Sequence, residues 1–359
     1  MNKVIFHIDI DRFYASVEEI FEKKFSLLPM VVANHQSKSI VLTSNHLARK
    51  LGIKAPMKLY EAKKLCKNLY VSEPKKYLYK TYSKKFFELL KENITSNIEI
   101  VSIDECFIDV TKILEKYHNN YDILAMKIIE LVKEQLHLDV TIGISETKFL
   151  AKVAGNEKHE NKFLTLFKKD VKRKIWDKKI SDIHMVGESM KLFFLSKDIN
   201  TVKEFMEYKD SNFLIEKLGL TYLNLYNNLN GNGDDVINTN INMPKSISID
   251  HTFNVSVDDK QIIIDKICLL SEQISRRLLS KNLIASTFVI KYQKDYKKNI
   301  TKTKTIKNYI NTKEEIIIIF LDLFLETWDF FEIRLLSLSV KKFKESVTNK
   351  KNEQINLFK

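Results

Sequence analysis

Two short apolar segments that end in acidic residues constrain the fold of this chain more than any other feature. Residues 3–8, KVIFHI, are mostly apolar and β-branched without helical spacing, which predicts a short buried strand that ends at Asp9. In residues 98–111, IEIVSIDECFIDVT, apolar and polar residues nearly alternate on both sides of Asp104 and Glu105. This alternation predicts a β-hairpin with both acids at its bend, in a position to lie beside the first strand.

Further helices and strands complete the first half of the chain. Helices are predicted at about 13–21, through 48–49, and at about 58–66, 77–95, 121–136 and 148–154, and strands at 31–33, 40–43 and 139–145. The strands at 31–33 and 40–43 are expected to form a hairpin-like pair. Residues 1–166 are therefore expected to be α+β, with the sheet strands separated by a mostly helical insert at about 11–75.

The second half of the chain divides at an Asn- and Gly-rich segment. Residues 167–240 are mainly helical in pattern and end in NNLNGNGDDVINTNIN, whose composition is typical of a linker. The elements predicted after Pro244 are a strand (247–255), a helix (259–280), two strands (284–293 and 300–307), a helix (313–328) and a strand (333–343). This β-α-β-β-α-β order is that of a ferredoxin-like module. The polar residues from about 345 onward are expected to be disordered.

The charge and the apolar pattern restrict the class of partner. Fifty-nine basic residues against 46 acidic ones give a net charge of +13, which favours a polyanionic partner, either nucleic acid or an anionic membrane surface. The most apolar stretch begins at Ile316 and is interrupted by Asp322 and Glu326, too short to span a membrane. The three cysteines show no paired metal-ligand spacing, so a reducing cytoplasm is expected and a structural zinc site is not.

The three acids predict a divalent metal site. Carboxylates gathered at one end of a sheet repel one another and raise each other's pKa unless a cation neutralises them. Carboxylate oxygens suit Mg²⁺, and two such ions about 3.5–4 Å apart serve phosphoryl transfer. The alternative is that each acid is a solvated turn residue. The position of Asp9 at the end of a buried strand favours the metal site.

Four motifs resemble those of a known family. HIDIDRFYASVEE (7–19), SNHLARKLGI (44–53), SIDECFIDV (102–110) and TIGISETKFLAKVA (141–154) are similar to the palm and finger motifs of Y-family translesion DNA polymerases, most closely those of the bacterial DNA polymerase IV type. The resemblance implies an α+β right-hand polymerase with a ferredoxin-like palm and a separate little finger. The implied domains are the palm (1–10 and 76–166), fingers (11–75), thumb (167–240), little finger (243–345) and a flexible tail (346–359).

The resemblance also implies roles for individual residues around the metals. Asp9, Asp104 and Glu105 would be the catalytic, metal-binding carboxylates, and the backbone carbonyl of Ile10 would be a further ligand. Tyr14 would be the steric gate that excludes a ribose 2′-OH. The alternative for Tyr14 is a core aromatic on its helix face.

The triphosphate contacts are also taken from the family. Arg49 matches the triphosphate-binding arginine, whose fixed fork of donors suits phosphate oxygens. Thr43 and His46 match further triphosphate contacts, although an aromatic hydroxyl is more usual at the position of His46. Lys158 falls where the family has a phosphate-binding lysine.

Two regions are predicted to contact primed template DNA. Gly187 lies in MVGES, where the family has a glycine-rich hairpin whose amides hold phosphates, and a plain helix-helix turn is the alternative. Residues 288–307 carry seven lysines against one aspartate, and a solvated face is the alternative to phosphate binding there. The lysines proposed to contact DNA are Lys291, Lys294, Lys302 and Lys304.

The tail ends in QINLF (354–358), which resembles the short peptide with which bacterial polymerases engage the sliding clamp. Gln354, Leu357 and Phe358 would fill the pockets of the clamp.

The expected function is template-directed, low-fidelity DNA synthesis from dNTPs by two-metal nucleotidyl transfer, without a segment for proofreading. Mg²⁺ is the expected cofactor, with Mn²⁺ as the alternative, and the protein is expected to be a cytoplasmic, nucleoid-associated monomer. Two rivals are another palm-type nucleotidyl transferase or cyclase and a catalytically inert polymerase-like protein that binds DNA and the clamp.

Overall fold

The computed structural model describes residues 3–36, 39–157, 162–239, 243–294 and 298–346. The chain forms two compact units, Met1–Asn240 and Ile241–Lys359, which are described separately. Among the described residues, no helix has both the length and the apolar character needed to cross a membrane.

The first unit mixes strands and helices. Its strands are β1 (Ile5–Ile10), β2 (Met30–Val32), β3 (Thr43–Ser44), β4 (Tyr70–Ser72), β5 (Ile98–Ile100), β6 (Glu105–Asp109), β7 (Val140–Ser145) and β8 (Phe163–Thr165). Its helices are α1 (Phe13–Phe21), α2 (His46–Lys50), α3 (Leu59–Leu65), α4 (Lys76–Asn93), α5 (Tyr121–Leu136), α6 (Lys148–Gly155), α7 (Val171–Ile175), α8 (Glu188–Leu195), α9 (Val202–Met206), α10 (Ser211–Leu218) and α11 (Leu220–Leu229).

The predicted N-terminal strand lies at the centre of a five-stranded sheet with the order β5-β6-β1-β7-β8. β1 pairs antiparallel with both β6 and β7, and the predicted hairpin is present as the antiparallel pair β5 and β6. One face of β1, with Phe6 and Ile8, packs into the same core as α4 and α5. The other face, with Ile5, packs against Ala151 of α6. Burial on both faces explains why this strand shows no polar alternation in the sequence.

A smaller sheet with the order β3-β2-β4 lies in the insert. β2 and β3 form the expected antiparallel pair. The third strand, β4, was not predicted, because three residues are too few to show a period; it pairs parallel with β2. Val31, Val41 and Leu59 belong to a separate small core between this sheet and α2 and α3.

The residues after β8 form the predicted helical segment. Five short helices, α7 to α11, share a core with α6, in which Phe194, Phe205 and Tyr222 are buried against one another. The capping box of Thr201 and Glu204 starts α9, and Asp210 caps α10.

The second unit has the predicted order of elements: β9 (Ser246–Val257), α12 (Lys260–Ser280), β10 (Leu283–Lys294), β11 (Lys298–Ile310), α13 (Lys313–Thr327) and β12 (Ile333–Glu345). The strands form one antiparallel sheet with the order β11-β10-β12-β9. Both helices cover the same face, where Phe288, Phe320 and Phe324 lie in the core. Among the described residues of this unit, no helix covers the opposite face of the sheet.

Contact between β7 and α6 depends on a glycine. A Cβ placed on Gly143 would lie 1.8 Å from the backbone oxygen of Ala151 and 2.4 Å from the backbone nitrogen of Gly155. These atoms belong to a helix backbone and do not move as a side chain does. Gly143 therefore allows α6 to approach the sheet closely.

We expect Gly143→Ala to lower the free energy of unfolding of the first unit by about 3 kcal/mol, because the added methyl overpacks a backbone contact. Trp176 lies in the first unit and Trp328 in the second, so chemical denaturation in a Trp328→Phe background reports on the first unit through one fluorophore.

The matched control is Gly187→Ala, since a Cβ at Gly187 meets no atom within 4 Å. It should cost less than about 1 kcal/mol, the scale of an altered helix N-cap. Equal denaturation midpoints for the two variants would contradict the close approach of α6.

Candidate active site

The acidic residues at the end of β1 are brought together by the pairing of β1 with β6. Asp9 lies directly opposite Glu105 in the antiparallel register of these strands. One residue further along, the backbone N–H of Ile10 donates a hydrogen bond of 3.0 Å to the backbone oxygen of Asp104. The three acids and the backbone of Ile10 therefore occupy one end of the central sheet.

Asp9 is the acid whose ionisation is most opposed by its surroundings. Burial raises the pKa of Asp9 to about 8, and the negative charges of Asp104 and Glu105 add to the increase. The side chain of Asp104 is fixed by a hydrogen bond of 2.5 Å from Oγ of Ser102 to its Oδ1. The repulsion therefore acts between side chains that the fold holds close together.

Glu105 is stabilised by two basic side chains that the sequence analysis missed. Nζ of Lys152 in α6 donates a hydrogen bond of 2.5 Å to Oε2 of Glu105. Nε2 of His7 lies 3.2 Å from the same oxygen. These contacts, the hydrogen bond from His7 first among them, lower the pKa of Glu105. Glu105 is therefore ionised under conditions in which Asp9 holds a proton.

His7 is a neutral ring buried beneath the acids. It precedes Asp9 by two residues on β1, so strand alternation was the signal that could have placed it on the same face. Burial lowers the pKa of His7, and the neutral ring donates to Glu105 through Nε2. Its Nδ1 is buried and has no hydrogen-bond partner among the described residues. His7 therefore supports the site from inside the protein.

The donor set fits a hard divalent cation. One ligand atom from each of His7, Asp9 and Glu105 lies within 4.8 Å of the others, and Asp104 adds a third carboxylate beside them. Because Nε2 of His7 is used by Glu105, the carboxylate oxygens are the donors left for a cation, and these are the ligands that Mg²⁺ prefers. A cation there would also offset the repulsion that raises the pKa of Asp9.

A tight turn places the predicted triphosphate contacts. Oδ1 of Asn45 caps α2 by accepting a hydrogen bond of 3.0 Å from a backbone N–H in its first turn. Thr43 lies buried before this turn, and His46 and Arg49 are exposed after it. Burial lowers the pKa of Arg49, while the charge of Asp9 opposes that decrease. Arg49 therefore lies within electrostatic reach of the acidic cluster.

Tyr14 lies between the core and the acidic cluster. Its ring is partly buried and stacks on Tyr79 of α4, with ring centroids 4.4 Å apart and planes inclined by 22°. Burial and the charge of Asp104 raise the pKa of Tyr14. The ring therefore packs partly on the core, as the alternative reading of Tyr14 expects, and the steric-gate role of Tyr14 stays a prediction.

The remaining predicted contacts of the first unit and the tail are only partly described. Gly187 is the N-cap of α8, with an ordinary φ of −81° and open space where a side chain would be. The other predicted residues, Lys158, Gln354, Leu357 and Phe358, lie outside the described residues.

The lysines of the second unit divide between the two faces of its sheet. Lys302 lies opposite the core residue Ile290, and Lys304 contacts Asp322 of α13 at 3.4 Å, so both extend from the face that the helices cover. Lys291 lies opposite Thr301 and therefore on the helix-free face. Lys294 is the last residue of β10, and the structure describes only its backbone.

The helix-free face carries mainly threonine and serine side chains. The period-2 pattern of residues 301–305, TKTKT, places its threonines on one face and its lysines on the other. The residues that share the face with Lys291 include Thr287, Thr301, Thr303, Thr305, Ser337 and Ser339. The alternation was visible in the sequence, and counting lysines alone missed it.

Comparison with known proteins assigns the chain to a family. Residues 8–156 match the impB/mucB/samB family, and residues 244–357 match the C-terminal domain of that family. The chain is 33% identical over 349 residues to a DNA polymerase IV of Ureaplasma parvum serovar 3, covering 96% of each chain. It is 30% identical over 362 residues to a DNA polymerase IV of Oceanobacillus iheyensis, covering 99% of this chain and 84% of that protein.

A solved structure gives the same fold. A chimeric Y-family DNA polymerase superimposes with a TM-score of 0.82 at 22% identity, covering 94% of this chain and 98% of that chain. The fold, the order of the motifs and the identity to full-length relatives agree. The chain belongs to the impB/mucB/samB family, the Y-family DNA polymerases of the DNA polymerase IV type.

Proposed function

We propose that this chain is a template-directed DNA polymerase that performs low-fidelity translesion synthesis. It would transfer nucleotidyl groups from dNTPs to a primer 3′-hydroxyl. The observation that carries the proposal is the convergence of Asp9, Asp104 and Glu105 at one end of the central sheet in a member of this family. We assign these residues as the catalytic carboxylates.

Two divalent ions, Mg²⁺ or in its place Mn²⁺, are the proposed cofactor. The three acids and the backbone carbonyl of Ile10 would hold them. Such a pair supplies activation of the attacking oxygen and stabilisation of the leaving one. His7 and Lys152 keep Glu105 ionised and oriented, and the repulsion at Asp9 favours cation binding over an empty site. These residues therefore prepare the negative pocket before substrate arrives.

The incoming nucleotide would be oriented by side chains from several parts of the first unit. Arg49 supplies fixed donors to the triphosphate, with Thr43, His46 and Lys158 as further contacts. Tyr14 faces the sugar and excludes a 2′-hydroxyl. Because the chain contributes charge and position rather than covalent chemistry, most of the rate depends on how well these groups are aligned.

The domain assignment is also a proposal. Palm (1–10 and 76–166), fingers (11–75) and thumb (167–240) would divide the first unit, and the little finger (243–345) corresponds to the second. Primed DNA would be held through its phosphates by Gly187 in the thumb and by the sheet of the little finger. Lys291 and its hydroxylated face are one candidate surface there, and Lys302 and Lys304 extend from the other face. Lys294 is assigned from sequence alone.

A sliding clamp is the proposed protein partner. Gln354, Leu357 and Phe358 would bind it as a short peptide, and a tether of this kind raises the local concentration of polymerase at the primer. The protein would act as a monomer in the cytoplasm, associated with the nucleoid.

The two rival functions are less well supported. An inert accessory protein would have no need for all three acids, and each of them is present. A nucleotide cyclase or another nucleotidyl transferase would not account for a basic second unit that matches the C-terminal domain of the family.

We expect Asp104→Asn to reduce single-turnover primer extension by about 100-fold or more, because a charge that binds the metals is lost while the side-chain shape is kept. Binding to primed DNA, measured by fluorescence anisotropy, should stay close to that of the wild type. Asp109→Asn is the control at the other end of β6, where its carboxylate accepts hydrogen bonds from Thr111. Equal extension rates for Asp104→Asn and the wild type would refute the metal assignment.

The raised pKa of Asp9 predicts that the free energy of unfolding of the metal-free protein decreases as the pH rises. Its pKa is about 8 in the folded state against 3.8 as the ordinary value, so the folded state binds more protons than the unfolded state between these pH values. Stability from this group is therefore lost as the pH rises from about 4 to about 8. Asn cannot ionise and avoids the loss.

Without divalent ions, we expect Asp9→Asn to melt about 2 °C or more above the wild type at pH 8 and at the same temperature near pH 4. Added Mg²⁺ should raise the melting temperature of the wild type more than that of the variant. A variant that melts at or below the wild-type temperature at pH 8 would show that Asp9 is not under repulsion.

We expect the triple change Gln354→Ala, Leu357→Ala and Phe358→Ala to weaken binding to the purified sliding clamp by about 100-fold in calorimetry, since anchor side chains dominate such contacts. Extension of short primers without the clamp should be unaffected. Asn352→Ala in the same tail is the control. Unchanged clamp affinity in the triple variant would remove the peptide from this role.

A further inference from the structure

A buried polar contact lies directly behind the ring of Tyr14. Tyr79, which stacks on Tyr14, is only 1% exposed and donates a hydrogen bond of 2.7 Å from its hydroxyl to Oε1 of Glu18. Glu18 is fully buried, and Oε2 of the same carboxylate pairs with Nζ of Lys75. Both carboxylate oxygens of Glu18 therefore have a partner.

The four side chains form a fixed arrangement between two helices. Tyr14 and Glu18 are four residues apart on α1, and Tyr79 of α4 lies four residues after Lys75, the N-cap of that helix. Residues at this spacing share a helix face. The four side chains therefore meet between α1 and the start of α4. Tyr14 stacks on Tyr79 in one layer, and Glu18 contacts Tyr79 and Lys75 in the next.

The arrangement leaves the Tyr79 ring no freedom to turn away. Phe13 lies against its edge with ring centroids 6.3 Å apart, Tyr14 covers one face, and the hydroxyl is tied to Glu18. A ring fixed at its edge, face and tip is a rigid support for the ring stacked on it.

Packing alone does not account for Glu18. A buried carboxylate costs free energy of desolvation, which an apolar residue of similar volume would avoid. What the carboxylate adds is a defined orientation of the Tyr79 hydroxyl and hence of the ring plane. The contact is therefore suited to fixing a geometry.

We propose that Tyr79, oriented by Glu18 and Lys75, is a positioning residue that sets sugar selectivity by holding the ring of Tyr14 against the nucleotide sugar. The inference rests on the proposed function, in which Tyr14 excludes the 2′-hydroxyl. Without the support, the Tyr14 ring turns into the vacated space, and a ribonucleotide enters. Glu18, Lys75 and Tyr79 touch neither substrate nor metal in this account.

The test compares single-nucleotide incorporation of dNTPs and rNTPs. Tyr79→Leu removes the stack, and we expect the ratio of kcat/KM for dNTP over rNTP to fall about tenfold, through faster rNTP incorporation. Tyr79→Phe keeps the ring and removes the hydrogen bond to Glu18, and its ratio should fall about threefold. A gain in rNTP incorporation cannot result from loss of folded protein, so a purely structural role would not produce it.

The chain offers a matched control one helical turn away. Tyr82 of α4 contacts Phe21 of α1 edge to face, with ring centroids 6.1 Å apart. Tyr82→Leu thus removes an aromatic contact between the same two helices away from Tyr14, and its sugar selectivity should equal that of the wild type.

Tyr14→Ala tests the gate itself, whereas the Tyr79 variants test its support. Tyr14→Ala should lose more sugar selectivity than Tyr79→Leu. Unchanged selectivity in Tyr14→Ala would overturn the gate assignment in the proposed function. Lost selectivity in Tyr14→Ala with wild-type ratios in both Tyr79 variants would overturn the present inference alone. Should Tyr79→Leu fail to fold, Tyr79→Phe decides between these outcomes, because it preserves the packed volume.

Discussion

Repulsion among carboxylates that the backbone forces together is the constraint on which the rest of the site depends. The register of β1 with β6 places Asp9 opposite Glu105 and the backbone of Asp104 beside Ile10. A slip of one residue would turn every side chain of β1 to the other face, so the apolar core that fixes the register also fixes the acids. Repulsion in this negatively charged pocket lowers the stability of the fold, and a bound cation would offset that repulsion.

The functional side chains are each supported from behind by buried polar partners. His7 and Lys152 hold Glu105, and the ring of Tyr79, tied to Glu18, lies behind Tyr14. His7, Glu18 and Tyr79 are buried in the first unit, and Lys152 is only partly exposed. Precise alignment is what an enzyme of this chemistry needs, because its residues act by position and charge.

Local patterns in the sequence predicted most of the elements, and the contacts between distant elements escaped them. Alternation around Asp104 located the hairpin, and helical spacing located α4 and α5, because these signals lie within a single element. The strand β4 is too short to carry a period, and its pairing with β2 is set by the tertiary fold. Lys152 reaches Glu105 only because α6 packs closely on β7 at Gly143, a contact that no local pattern encodes. The faces of Lys291 and Lys302 could have been separated by strand alternation.

The most direct test of the account is a crystal structure with primed DNA, a non-hydrolysable dNTP and Mn²⁺, recorded at a wavelength where manganese scatters anomalously. Two anomalous peaks are expected about 3.5–4 Å apart, each in contact with carboxylate oxygens of Asp9, Asp104 and Glu105. Peaks at the triphosphate alone, with these three carboxylates making no contact to either ion, would contradict it.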